Sequence, residues 1–151
     1  MRLSKADVGR RFFGPSKTLT DAHFLMFSAV SGDVHPIHYD VEYAKSTAFG
    51  SPVAHGLLLT SLMALGASDA REVLDGMAMV EQGTSFRKPV KVGDTVRPEF
   101  EIEDLWQDEK ERSFCRFKAI LLNHIGETMA EGFHIYRILP KTENGCDVKK
   151  S

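Results

Sequence analysis

Cysteine is nearly absent, with two in 151 residues. Cys115 stands in an apolar run and Cys146 in a polar one, which leaves neither a disulfide framework nor a zinc-type cluster. A reducing, cytoplasmic location is the expectation. Long apolar runs are also missing: the longest, 56–67, falls far short of the ~20 residues a bilayer-spanning helix needs. The first residues, Met1 to Val8, include Asp7 and no apolar centre, so they do not read as a secretory signal. A soluble protein with no membrane partner is expected. Nor is there an excess of one charge, since 19 Lys+Arg face 21 Asp+Glu for a net charge of −2. That balance supplies none of the positive field a nucleic-acid partner requires. No internal repeat or low-complexity stretch occurs.

What remains is a chain that is 42% hydrophobic, of a length that fits one domain. Residues 1–140 are expected to form it, and 141–151 to be a polar, disordered tail with little to bury. Thr20 is placed to cap a helix over Asp21–Val30, in which Phe24, Phe27 and Val30 recur at a helical interval and Gly32 is the stop. Asp40 is placed to cap a second short helix over Val41–Thr47. From Gly56 to Ala67 the leucines fall on every side, the mark of a helix buried all round. Beyond it, Val96, Phe100 and Ile102 alternate with Arg97, Glu99, Glu101 and Glu103, a period of two that predicts a strand with one wet face. Phe114–Asn123 and Thr128–Ile138 read as further strands, joined through a turn at Gly126, and Met79–Phe86 as a weaker fourth. The reading is α+β: a curved antiparallel sheet wrapped around a central buried helix.

Between the first two helices, Asp33, His35 and His38 fall within six positions, and His55-Gly56 opens the apolar helix. A carboxylate and an imidazole brought together polarise a water and move its protons. The first amides of a helix lack intrahelical acceptors and are able to hold a developing oxyanion. Each residue also has a plainer reading. Asp33 can be a loop acid bonding a local amide, His38 a satisfied structural histidine, and His55 a residue that shapes the loop before the helix. Thr60 and Ser61 are expected to bond carbonyls one turn back. Arg87, Lys88 and Lys91 are either a solvated surface run or a site for phosphates. A metal held by His35, His38 and Asp33 or His55 lacks a recognised ligand spacing, so no metal is expected.

The run Phe27-Ser28-Ala29-Val30-Ser31-Gly32-Asp33-Val34-His35-Pro36-Ile37-His38-Tyr39 resembles the hydratase signature of the MaoC-like dehydratases, a family that includes the (R)-specific enoyl-CoA hydratases. Ala54-His55-Gly56-Leu57, Phe86-Arg87-Lys88-Pro89-Val90 and Val92-Gly93-Asp94-Thr95-Val96 extend the likeness over about 5–140. The resemblance implies a hot-dog fold, a homodimer or higher even oligomer, and an acyl-CoA thioester substrate, with no cofactor beyond the coenzyme A that is part of that substrate. By motif position Asp33 and His38 become the catalytic pair that activates water, and the Gly56 amide the group that binds the thioester oxygen. The sequence departs from the family at His35, where Asn is usual. The expected reaction is addition of water to a trans-2-enoyl-CoA to give an (R)-3-hydroxyacyl-CoA, or its reverse. The alternatives are a hot-dog acyl-CoA thioesterase and a noncatalytic acyl-CoA binding subunit.

Overall fold

Four long strands carry most of the architecture of the computed structural model, which describes residues 3–73 and 76–139. In chain order the elements are β1 (Arg11–Phe13), β2 (Lys17–Thr18), α1 (Asp21–Ser31), α2 (Val41–Lys45), α3 (Gly56–Leu62), β3 (Met77–Phe86), β4 (Thr95–Gln107), β5 (Ser113–Asn123) and β6 (Thr128–Ile138). Short 3₁₀ turns lie between them, including Pro36–His38, Leu65–Ala67 and Asp69–Glu72. The sheet runs β1-β4-β5-β6-β3 with β2 also paired to β4, and its pairings are antiparallel. The Gly126 turn joins β5 to β6 at a positive φ of 85°, a conformation glycine adopts without steric cost.

Alternation builds the core face. Val96, Phe100 and Ile102 of β4, Cys115, Phe117, Ala119 and Leu121 of β5, and Met129 and Tyr136 of β6 are buried in one cluster with Phe24 of α1 and Leu58, Leu59 and Met63 at α3. Each large apolar side chain so buried contributes about 1.5–3 kcal/mol relative to exposure. The Cys115 thiol within this core is pushed up to about 12, first by burial and then by the charges of Asp104 and Asp7, so it is an inert packing group.

Several expectations need correction. The central helix covers seven residues, not the whole of 56–67, and ends at Leu62 with Met63 as its C-cap, before the 3₁₀ turn at Leu65. It is not buried all round, because Leu57 is 65% exposed while Leu58 and Leu59 are inside. In α1 the residue one turn beyond Phe27 that faces the core side is not Val30, which is 87% exposed; Phe24 and Ser28 are the buried positions. The second helix stops at Lys45 rather than Thr47, whose hydroxyl instead bonds the Ala44 carbonyl at 2.7 Å. The wet face of β4 is interrupted at Glu99, buried between Arg11 and Arg97 with both ion pairs at 2.6 Å. A bulge between Ile102 and Asp104 then shifts the phase, so Leu105 turns inward. The two short strands before α1 carry too few residues to show a period and were not expected. The stretch 141–151, expected as a tail, lies outside the described residues.

Candidate active site

The loop that follows α1 is built from bonds its own residues supply. Gly32 takes φ 77° and returns its N–H to the Ser28 carbonyl at 2.9 Å, which closes the helix. The Ser31 hydroxyl accepts the Asp33 N–H at 3.1 Å, and Asp33 Oδ1 accepts the His35 N–H at 3.2 Å. Pro36 then starts the 3₁₀ turn, a position that needs no N–H. His35 Nδ1 caps that turn by accepting the Ile37 N–H at 3.2 Å. At its end, the His38 N–H returns to the His35 carbonyl at 3.1 Å.

His38 is held from the other side of the site. Its Nδ1 lies 2.7 Å from the Val53 carbonyl oxygen. A carbonyl only accepts, so Nδ1 carries the proton and neutral His38 presents the lone pair of Nε2. That Nε2 is 3.8 Å from Asp33 Oδ2, with the His38 side chain 11% exposed and the Asp33 side chain 49% exposed. The separation exceeds a direct hydrogen bond and suits one water shared by the two groups. The structure therefore brings together the two residues that the sequence paired.

His55 lies beneath them. It is 2% exposed, and its ring stacks on His38 with centroids 3.6 Å apart and planes at 21°. Nε2 is 3.0 Å from Ser28 Oγ and 3.3 Å from the Asp33 carbonyl oxygen. Burial, and next the neighbouring His38, lower its pKa; the Asp33 contacts act in the opposite sense. A neutral ring that donates from Nε2 to Asp33 ties the loop to α3, while its Nδ1 is buried without a hydrogen-bond partner. His55 is thus a structural residue whose side-chain hydrogen bonds run to Ser28 of α1 and to the Asp33 loop, rather than to the loop before α3. Donor atoms of Asp33, His38 and His55 do lie within 4.8 Å of one another. An imidazole lone pair lies in its ring plane, however, so two stacked rings direct theirs side by side rather than toward one shared ion.

Gly56 begins α3, ahead of its first internal bond from Leu59 N–H to the His55 carbonyl at 3.2 Å. Its amide consequently has no intrahelical acceptor. A side chain there would put a Cβ 3.1 Å from Phe86 Cζ, so the residue's smallness lets the aromatic ring close against the backbone. Gly56, Phe86, Phe49, Val53, Leu59 and Lys88 line a cavity of 320 Å³, whose lining does not include Asp33 or His38. Of the basic run, Arg87 pairs with Glu131 at 2.6 Å, Lys88 pairs with Glu127, and Lys91 Nζ bonds the Phe49 carbonyl at 2.7 Å. Thr60 and Ser61 bond the Gly56 and Leu58 carbonyls, as expected.

Ser28, the Val53 carbonyl and Phe86 did not emerge from the sequence as site residues. Ser28 is four residues after Phe24, on the same helix face, and that spacing could have found it. A main-chain carbonyl such as that of Val53 has no residue-type signal at all.

The fold and this pairing define a class. The MaoC-like domain family matches residues 5–120, and the chain belongs to that family, with its hot-dog fold. Among its relatives, the (R)-specific enoyl-CoA hydratase of Aeromonas caviae is 38% identical over 94 residues, 62% of this chain and 69% of that protein. The (R)-specific enoyl-CoA hydratase of Rhodospirillum rubrum is 30% identical over 95 residues, 63% of this chain and 65% of that protein. The solved (R)-hydratase of A. caviae superimposes with a TM-score of 0.77 at 29% identity, covering 91% of this chain and 100% of that one.

Proposed function

We propose that the chain is a hydratase/dehydratase that adds water to a trans-2-enoyl-CoA to give an (R)-3-hydroxyacyl-CoA, and catalyses the reverse. The observation that carries this reading is the Asp33 Oδ2 to His38 Nε2 separation of 3.8 Å, combined with the tautomer that the Val53 carbonyl imposes on His38. An ionised carboxylate and a neutral Nε2 both accept. A single water satisfies both by donating one O–H to each, which leaves its oxygen lone pairs directed away from the protein and toward C3 of the enoyl group. As the C3–O bond forms, Asp33 accepts a proton from the water and His38 orients the water and shares in proton delivery. C2 takes up the proton that the pair has received from the water, so OH and H of one water are both added and the pair ends in its starting state. Negative charge passes transiently to the thioester oxygen, and we assign as its donor the Gly56 amide, which has no intrahelical acceptor.

The cavity beside Gly56, with Phe49 and Phe86 on its walls, offers apolar surface to the part of the substrate next to the thioester. The likeness to two (R)-specific hydratases supports the substrate class and the face of attack. No cofactor or metal enters this scheme, and coenzyme A belongs to the substrate. We further propose a homodimer or higher even oligomer. The edge strand β3 exposes Met79 and Val80, and Leu57 of α3 is exposed as well, apolar surface of the sort that a second copy covers.

The test is incubation with crotonyl-CoA and longer trans-2-enoyl-CoA thioesters, following loss of the enoyl absorbance and, separately, release of thiol. The product is then coupled to dehydrogenases specific for each 3-hydroxyacyl isomer. The (R) product is expected. A dominant (S) product would overturn the roles of Asp33, His38 and Gly56, and thiol release without hydroxyacyl product would establish the thioesterase alternative.

A further inference from the structure

His35 touches both members of the pair through its backbone: its N–H reaches Asp33 Oδ1 at 3.2 Å and its carbonyl accepts the His38 N–H at 3.1 Å. Those two bonds survive any substitution that preserves the backbone. The third bond belongs to the side chain, the Ile37 N–H to Nδ1 at 3.2 Å, and it holds the 3₁₀ turn Pro36–His38 that ends in the water-activating histidine. This bond exists only while Nδ1 has a lone pair.

We propose that His35 is a positioning residue for hydration, whose ring nitrogen caps the 3₁₀ turn and so sets the separation of His38 from Asp33. The inference rests on the hydratase reading above. An Asn side chain can accept the same Ile37 N–H through Oδ1, so it retains the cap.

Three forms are compared: the wild type, His35→Asn and His35→Ala. His35→Ala is expected to lower kcat on the order of five- to tenfold at neutral pH, the equivalent of losing one cap bond, with KM little changed. His35→Asn is expected to restore kcat. Nitrogen-15 spectra of the histidine rings give a readout independent of turnover, in which His35 Nδ1 should be unprotonated at neutral pH. A protonated Nδ1, an Ala variant with wild-type kcat, or an Asn variant as slow as Ala would each overturn the proposal. If no enoyl-CoA is hydrated by the wild type, the functional reading fails instead, while the ring spectra still report on the cap.

Discussion

At the residue scale the site separates groups that act from groups that support, and substitution should distinguish them. Asp33 is half exposed and His38 nearly buried, yet neither belongs to the apolar cluster of the core. Asp33→Asn and His38→Gln are each expected to lower turnover by about a hundredfold or more with little change in Tm. Purified variants assayed for hydration and melted in parallel check this, and near-normal turnover removes the residue from the mechanism. His55 should behave differently. It is buried, stacked on His38 and bonded to Ser28 and Asp33, so His55→Ala leaves a cavity and two broken ties. A loss of about 2–4 kcal/mol is expected in denaturant unfolding, accompanied by reduced turnover.

At the scale of elements, the pairing of β3 with β6 depends on a close approach of two backbones. A Cβ on Gly132 would lie 1.9 Å from the Gly83 carbonyl oxygen. Backbone cannot move aside as a flexible side chain does, so Gly132→Ala is expected to cost about 3 kcal/mol or more and to loosen the sheet edge. Denaturant midpoints together with hydrogen exchange of the β3 amides measure it. The same strand pair carries an acid sensitivity. His134 is buried on β6 and burial lowers its pKa, so near pH 6 the unfolded chain binds a proton that the folded chain refuses. Stability then rises with pH wherever the unfolded state holds more protons. The expected outcome is a Tm that falls as pH drops below the ordinary histidine pKa of about 6.5, with His55 contributing in the same direction. Replacing His134 by Gln should flatten that decline, and an unchanged slope would show that His134 does not supply it.

At the scale of the whole molecule, the predictions concern assembly and metal independence. Light scattering should give a mass twice that of the 16.9 kDa chain or a higher even multiple. A stable, fully active monomer would overturn the proposed assembly. Treatment with a chelator should leave hydration unchanged, since the stacked His38 and His55 rings do not converge their lone pairs on one ion. Activity abolished by the chelator and restored by a divalent ion would refute it. Among the described residues no helix is long and apolar enough to cross a membrane.

The sequence by itself determined the long strands and the chemistry of the loop, because those signals are local. The alternation in β4, the turn at Gly126 and the spacing of Asp33 to His38 are each read within a dozen residues, where backbone geometry alone relates one position to the next. Tertiary structure decided what depends on residues far apart in the chain. It buried Glu99 between Arg11 and Arg97 and turned Val30 and Leu57 outward. It set the His38 tautomer through the carbonyl of Val53 and closed Phe86 over Gly56. A periodic pattern states which face of an element is apolar but not which neighbour covers it, and a main-chain acceptor is the same for every residue type. The distance between Asp33 and His38 therefore had to wait for the fold, although their identities did not.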